Sequence, residues 1–239
     1  MRARFHRLGS RLGCGAAIAR TTGRLCSRGR RVRAVVGAVE RSRASRVQAW
    51  WLLPANRFAS GTRGLDSGND IVLVAGPSSA YAAAQGLLGA LGGGALGVGE
   101  EPGQAVLMQQ INGALFAVLL AATCESYVAG ARAGLDPLTM RQILGLETGR
   151  NAASSHIVPE QVITRRFAYG KSLGEACRDL DGVSECARAL GVTPWVLDKA
   201  RLLYRLAVQL GSAADDVTTL VKLYEKWARV EVRSPLAPS

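Results

Sequence analysis

Apolar positions change their spacing along this 239-residue chain, and the change predicts most of its elements. Ile71-Val-Leu-Val74 is a compact, largely β-branched run closed by Ala75-Gly-Pro77, which predicts a buried strand and a turn. Ser79 to Leu91 predicts a helix, with Ser78 or Ser79 as its N-cap. Gly92-Gly-Gly94 ends that helix, and Ala95 to Val98 predicts a second short strand. Together these form a βαβ-like piece of a doubly wound sheet, too small to stand alone.

Beyond Pro102 the spacing becomes helical. Gly103 to Gly134 has no proline and is apolar almost all round, which predicts a central buried helix. Asp136-Pro137 opens the next helix, with proline at the first helical position. Arg150 to Pro159 is polar and reads as a loop. Leu173 to Leu190 is amphipathic and stops at Gly191. Thr193-Pro194 starts a helix running to Gly211, and Asp215 or Asp216 caps a last one ending near Val232. About five helices with short connections make an α-domain.

Charge alters this picture only at the N-terminus. Residues 1–64 hold fifteen arginines, no lysine and one acid, Glu40, a local net of +14. The total of +12 therefore leaves residues 65–239 at −2. The charge of the arm says nothing about the partners of the body. Arginine-rich, serine-containing and acid-poor is the composition of a mitochondrial presequence. The same composition also suits a phosphate-backbone binder, a disordered tail or a poorly preserved piece of a larger domain. Cys14, Cys26, Cys124, Cys177 and Cys186 form no CxxC, and His6 and His156 stand far apart, so no metal site is expected. Reduced thiols fit a cytoplasmic protein or, alternatively, one of the mitochondrial matrix. The longest unbroken apolar run, Ala114 to Ala122, is shorter than the ~20 residues a bilayer needs, so no membrane is expected.

Several stretches in order carry a family resemblance. Glu101-Pro-Gly-Gln-Ala105, Cys124-Glu-Ser126 and Ala133-Gly-Leu-Asp136 lie on and beside the long predicted helix. Phe167-Ala-Tyr-Gly170, Arg178-Asp179-Leu180, Leu190-Gly-Val-Thr-Pro-Trp195 and Tyr224-Glu-Lys-Trp227 follow. The ordered set, over roughly 130 residues, resembles the all-helical domain of the NAD(P)-dependent 3-hydroxyisobutyrate (β-hydroxyacid) dehydrogenases. The resemblance implies a mainly α fold. Its 6-phosphogluconate dehydrogenase-like helical domain would span residues 101–239, after a partial Rossmann remnant at 65–100. Residues 1–64 would be a disordered segment or a degenerate Rossmann start.

It also implies hydride transfer between NAD or NADP and a short 3-hydroxy acid, and a homodimer. In such enzymes a lysine on the long helix exchanges the proton of the substrate hydroxyl, and an asparagine one turn along holds the substrate. Counting back sixteen residues from Glu125 places Gln109 in the lysine slot, Asn112 in the first asparagine slot and Gly113 in the second. Glutamine has no proton to exchange near neutral pH. Lys171 is the first lysine anywhere in the chain. Arg178-Asp179 fills the family's Lys-Asp position, where it would face the cofactor or form an ordinary ion pair.

A pyrophosphate site would need a GxGxxG turn at a helix start. Gly13-Cys-Gly15-Ala-Ala-Ile18 is the candidate, with Ile18 in place of the third glycine. The would-be first strand, His6 to Leu12, carries Arg7 and Arg11, unlike a buried parallel strand. Arg31 to Val36 would be the second, and no acid ends it. About 35 residues separate Val36 from Ile71, fewer than the family uses there. The leading expectation is thus a family member with impaired chemistry. A non-enzymatic helical dimerisation module derived from the family is the alternative. A nucleic-acid binder, resting on residues 1–64 alone, is the third.

Overall fold

Two glycines in left-handed backbone conformation mark where the longest helices end, as their positions in the sequence suggest. The computed structural model describes residues 72–79, 81, 82, 95–101, 103–146 and 148–233. Within them α1 runs Gln104–Arg132 and α2 Pro137–Leu146. A π-helix covers Ala153–Ile163, followed by α3 at Leu173–Ala189 and α4 at Trp195–Leu210. A 3-10 turn at Val217–Leu220 leads into α5 at Val221–Ala228. After α1, Gly134 (φ 89°) lets Leu135 N–H reach the Gly130 carbonyl while its own N–H reaches Ala131. After α3, Gly191 (φ 81°) does the same, with Val192 N–H on Ala187. Both are Schellman endings, which use the αL conformation that glycine adopts without a Cβ penalty.

The helix starts are equally local. Ser172 caps α3 by accepting from Glu175 N–H, and the Glu175 carboxylate accepts from Ser172 N–H, a reciprocal capping box. The Asp136 carboxylate accepts from Thr139 N–H ahead of α2. Asp216 caps the 3-10 turn through Thr218 N–H.

The chain divides between Gln109 and Gln110 into two units, each taken by itself here. In the first, β1 (Val72–Ala75) pairs in parallel with β2 (Ala95–Gly99), Val72 opposite Ala95. A parallel pair needs a crossover between its strands, in keeping with the expected βαβ order. Ser78, Ser79, Tyr81 and Ala82 are helical; the remainder of the Ser79–Leu91 helix lies outside the described residues. So do Gly13, Gly15 and the expected strands at His6–Leu12 and Arg31–Val36.

In the second unit Leu120, Tyr127, Val158, Val162, Ile163, Leu180, Tyr204 and Leu220 are fully buried. Tyr204 closes the core by donating its hydroxyl to the Ala117 carbonyl of α1, 2.9 Å away. Two expectations fail here. Arg150 to Pro159 is not a loop. Asn151 Oδ1 accepts from Ala153 and Ser154 N–H, starting the π-helix, whose Ile157, Val158, Val162 and Ile163 are buried. Proline inside it disguised the element in the sequence, since Pro159 has no N–H to contribute. Nor is α1 buried all round: Ile111 and Leu115 are 40% and 53% exposed. Ala117, Leu120, Cys124 and Tyr127 of the same helix are fully buried, so it is covered on part of its circumference only. Counting only unbroken apolar letters also understated α1, which is long and apolar enough to cross a membrane by length and composition.

Candidate functional site

Of the site residues inferred from the sequence, Gln109 and Asn112 lie on α1 and Arg178 and Asp179 on α3, while Gly13 and Gly15 lie outside the described residues. Gln109 is half-buried and Asn112 exposed, three residues apart on α1. Gly113, the next residue, is buried, and the reason lies on α3. A β-carbon at 113 would collide with the Asp179 carboxylate and lie 3.2 Å from Lys171 Nζ. One turn on along α3, Gly182 receives Gln110 of α1, whose amide would lie 3.1 Å from a β-carbon there. Each helix thus offers a glycine to a polar side chain of the other. A mid-helix glycine costs about 1 kcal/mol against alanine, and this close approach accounts for both.

Lys171 is held from two sides. Its carbonyl accepts from Val217 N–H at 2.7 Å, and Ser172, the next residue, is the cap of α3. Gly170 N–H, just before it, donates to Asp216 Oδ2 at 2.8 Å. The side chain then runs inward until Nζ lies 2.6 Å from Asp179 Oδ2. It also stands 5.8 Å from the centroid of the Phe116 ring, which stacks on Tyr169. Only 10% of the Lys171 side chain and 21% of that of Asp179 remain exposed. Burial pushes the Asp179 carboxyl above the usual carboxylate range, against the pull of the Lys171 charge and hydrogen bond.

Asp179 therefore lies against α1 at Gly113 while ion-paired to Lys171, and neighbouring Arg178 is exposed. Reading the sequence missed the use of Lys171. The available signal was a first lysine placed immediately before the Ser172–Glu175 capping box in an arginine-rich chain. Gly113 was seen only as a departure from asparagine, with no hint of what fills the space.

Other chemistry is sparse. No group of His, Cys, Asp or Glu among the described residues could hold a metal. Cys124, Cys177 and Cys186 are free, and burial raises all three thiols, away from the reactive thiolate. In the first unit a cavity of about 200 Å³ opens between Val74, Gly76, Ser78, Gly99 and Glu100, at the C-terminal ends of the strands. It is smaller than the ~300–1,000 Å³ of ordinary ligand pockets. The Glu100 carboxylate, accepting from Ser78 Oγ at 2.8 Å, is the wrong charge for a pyrophosphate. This cavity does not fit a dinucleotide.

Residues 103–224, just over half the chain, match the family model described as the NAD-binding domain of NADP-dependent 3-hydroxyisobutyrate dehydrogenase. The chain is 24% identical over 174 residues to 2-(hydroxymethyl)glutarate dehydrogenase of Eubacterium barkeri, covering 73% of this chain and 58% of that protein. It is 28% identical over 161 residues to the mitochondrial 3-hydroxyisobutyrate dehydrogenase of Rattus norvegicus, covering 64% and 48%. Among solved structures, 3-hydroxyisobutyrate dehydrogenase from Salmonella typhimurium superposes with a TM-score of 0.61 at 20% identity, covering 68% of this chain and 57% of that one. That likeness shows the shared fold. The chain spans about half the length of the curated relatives it matches.

Proposed function

The chain belongs to the 3-hydroxyisobutyrate dehydrogenase family, and from that premise we propose that it binds a short 3-hydroxy acid along α1 with impaired turnover. The observation that carries this reading is Gln109, one turn before Gly113 on the helix that also presents Asn112. A bound nicotinamide would supply the acceptor or donor of hydride. Asn112 would hold the substrate by hydrogen bonds from its exposed amide. Gln109 can donate or accept a hydrogen bond but cannot take up the hydroxyl proton. Losing a positioned acid or base lowers rates by about 10²–10⁴. Arg178 would meet the cofactor from α3.

The test is turnover of 3-hydroxyisobutyrate by the full chain with NAD or NADP, beside an intact family member. We expect rates at least about 100-fold lower; equal rates would overturn the reading. Gln109→Lys should restore activity only when residues 101–239 are joined to an intact Rossmann domain. In that hybrid Asn112→Ala should remove it again.

The exposed apolar side chains of α1, Ile111 and Leu115 among them, support a homodimer. They equally favour the second reading, a non-enzymatic dimerisation module, which a cofactor titration separates from the first. Sedimentation showing monomer alone at tens of micromolar would remove the dimer from both. Unreactive free thiols are compatible with the cytoplasm or the mitochondrial matrix.

A further inference from the structure

We infer that Glu125, Tyr224 and Trp227 form a recognition site for an arginine side chain presented by a partner polypeptide. The inference does not rest on the proposed reaction, since none of the three belongs to the Gln109–Asn112 turn. Tyr224 and Trp227 are three residues apart on α5 and so lie on one face of it. Their ring centroids are 5.8 Å apart with planes at 85°, two walls of a corner. Trp227 is 55% exposed, and Tyr224 is half-buried. At the hydroxyl end of Tyr224 stands Glu125 of α1, exposed, with Oε2 accepting from that hydroxyl at 3.5 Å. Burial, and then the Glu125 charge, push the Tyr224 phenol up, so it remains a donor to the carboxylate. Among the described residues no cation pairs with Glu125 or stands over either ring. Lys222 of the same helix is drawn over Phe167 instead, 4.3 Å from the ring centroid.

An aromatic corner with a carboxylate at one end attracts a cation twice, through the ring faces and through the charge. A guanidinium suits it better than an ammonium. It is planar and weakly hydrated, stacks on aromatic rings and presents several N–H groups to a carboxylate. The corner is open to solvent, whereas small-molecule sites bury about 70–90% of their ligand. It therefore fits the end of a side chain that a larger partner carries. Tyr, Trp and Arg are also the residues that most often anchor protein–protein contacts.

The experiment uses the full chain labelled with ¹⁵N at the tryptophan indoles, the Trp227 resonance being assigned by its absence from Trp227→Leu. The probes, at equal ionic strength, are the Nα-acetyl amides of arginine, lysine and citrulline, whose urea is a neutral copy of the guanidinium, and free L-arginine. We expect the arginine amide to shift the Trp227 resonance most, the lysine amide less and the citrulline amide not at all. Read at the same resonance, Tyr224→Leu should weaken binding of the arginine amide about two- to fivefold. Glu125→Gln, a surface exchange, should weaken it about twofold or more. Should Tyr224→Leu fail to fold, Glu125→Gln and the contrast between arginine and citrulline in the native chain decide. No shift with the arginine amide, an equal shift with the citrulline or lysine amide, or binding unchanged in Glu125→Gln overturns the inference. A shift with free L-arginine but not with its blocked amide also overturns it, because the ligand would then be a small molecule.

Discussion

Two of the partly buried ion pairs in the helical unit, Arg165–Glu225 and Lys171–Asp179, differ in what surrounds them. Arg165 and Glu225 form a two-pronged pair, Nη1 to Oε1 at 2.6 Å and Nη2 to Oε2 at 3.1 Å. Val232 N–H adds a third bond to Oε1 at 2.8 Å, and Glu231 lies 3.2 Å from the same guanidinium. That arrangement ties the segment after α5 to the end of the π-helix. It holds Arg165 at φ 60°, a conformation arginine seldom adopts. Lys171 and Asp179 meet through one nitrogen and one oxygen, pressed against a glycine of α1 beside the exposed Asn112. The first pair is saturated by the fold. The second lies against α1 at the edge of the candidate site. Burial and charge alone would not tell them apart; what each is packed against does.

The contrast breaks most visibly at Glu225. Glu225→Ala leaves the Arg165 guanidinium, 22% exposed, without its two-pronged partner and frees Val232 N–H. Removing one member of a buried pair typically costs about 3–5 kcal/mol. Glu231, still within reach, lowers the expectation to about 2–3 kcal/mol. Urea unfolding followed by circular dichroism measures it. A loss below about 0.5 kcal/mol, the range of ordinary surface changes, would mean that the pair is not the clamp its geometry describes.

Gly113 sharpens the contrast from the other side. Alanine gains about 1 kcal/mol of helix propensity over glycine, but a β-carbon at 113 collides with Asp179, and overpacking costs about 1–3 kcal/mol. Gly113→Ala should therefore destabilise by roughly 1 kcal/mol. Gly145→Ala on α2, where nothing lies within 4 Å of the added carbon, should stabilise by a few tenths. The opposite signs are the measurement. If both stabilise, Lys171 and Asp179 are not packed on α1 as described.

Most of the helical skeleton was legible because its punctuation is local. Pro137, Gly134 and Gly191 act through their own backbones and a few neighbours, so one stretch of sequence contains cause and effect. The π-helix was not legible, because its start depends on Asn151 and its stability on Ile157, Val158, Val162 and Ile163 meeting a core contributed by other helices. The candidate site was legible in half. Asn112, Gly113 and Asp179 could be placed by counting along the resemblance. Lys171 could not, because 58 residues separate it from Gly113 and only the packing of α3 on α1 brings them together. A lysine that meets α1 from outside it is invisible to any rule that reads α1 alone.

A last effect tests how Lys171 is aimed. Its neighbour Ser172 accepts from Glu175 N–H at 3.2 Å, and Glu175 Oε2 accepts from Ser172 N–H at 2.8 Å. Replacing a capping serine by alanine costs about 1 kcal/mol, so Ser172→Ala should lower stability by about that amount. This is less than Glu225→Ala, because the exchange leaves no charge buried alone. The Lys171 carbonyl keeps its bond to Val217 N–H in the variant, and Gly170 N–H keeps Asp216. The backbone at 171 is therefore anchored independently of the cap. Amide exchange should accelerate in the first turn of α3, at Glu175 and its neighbours, and stay slow at Val217. Acceleration at Val217 as well would show that the capping box, rather than the cross-segment bonds, sets the position of the Lys171 ammonium on α1.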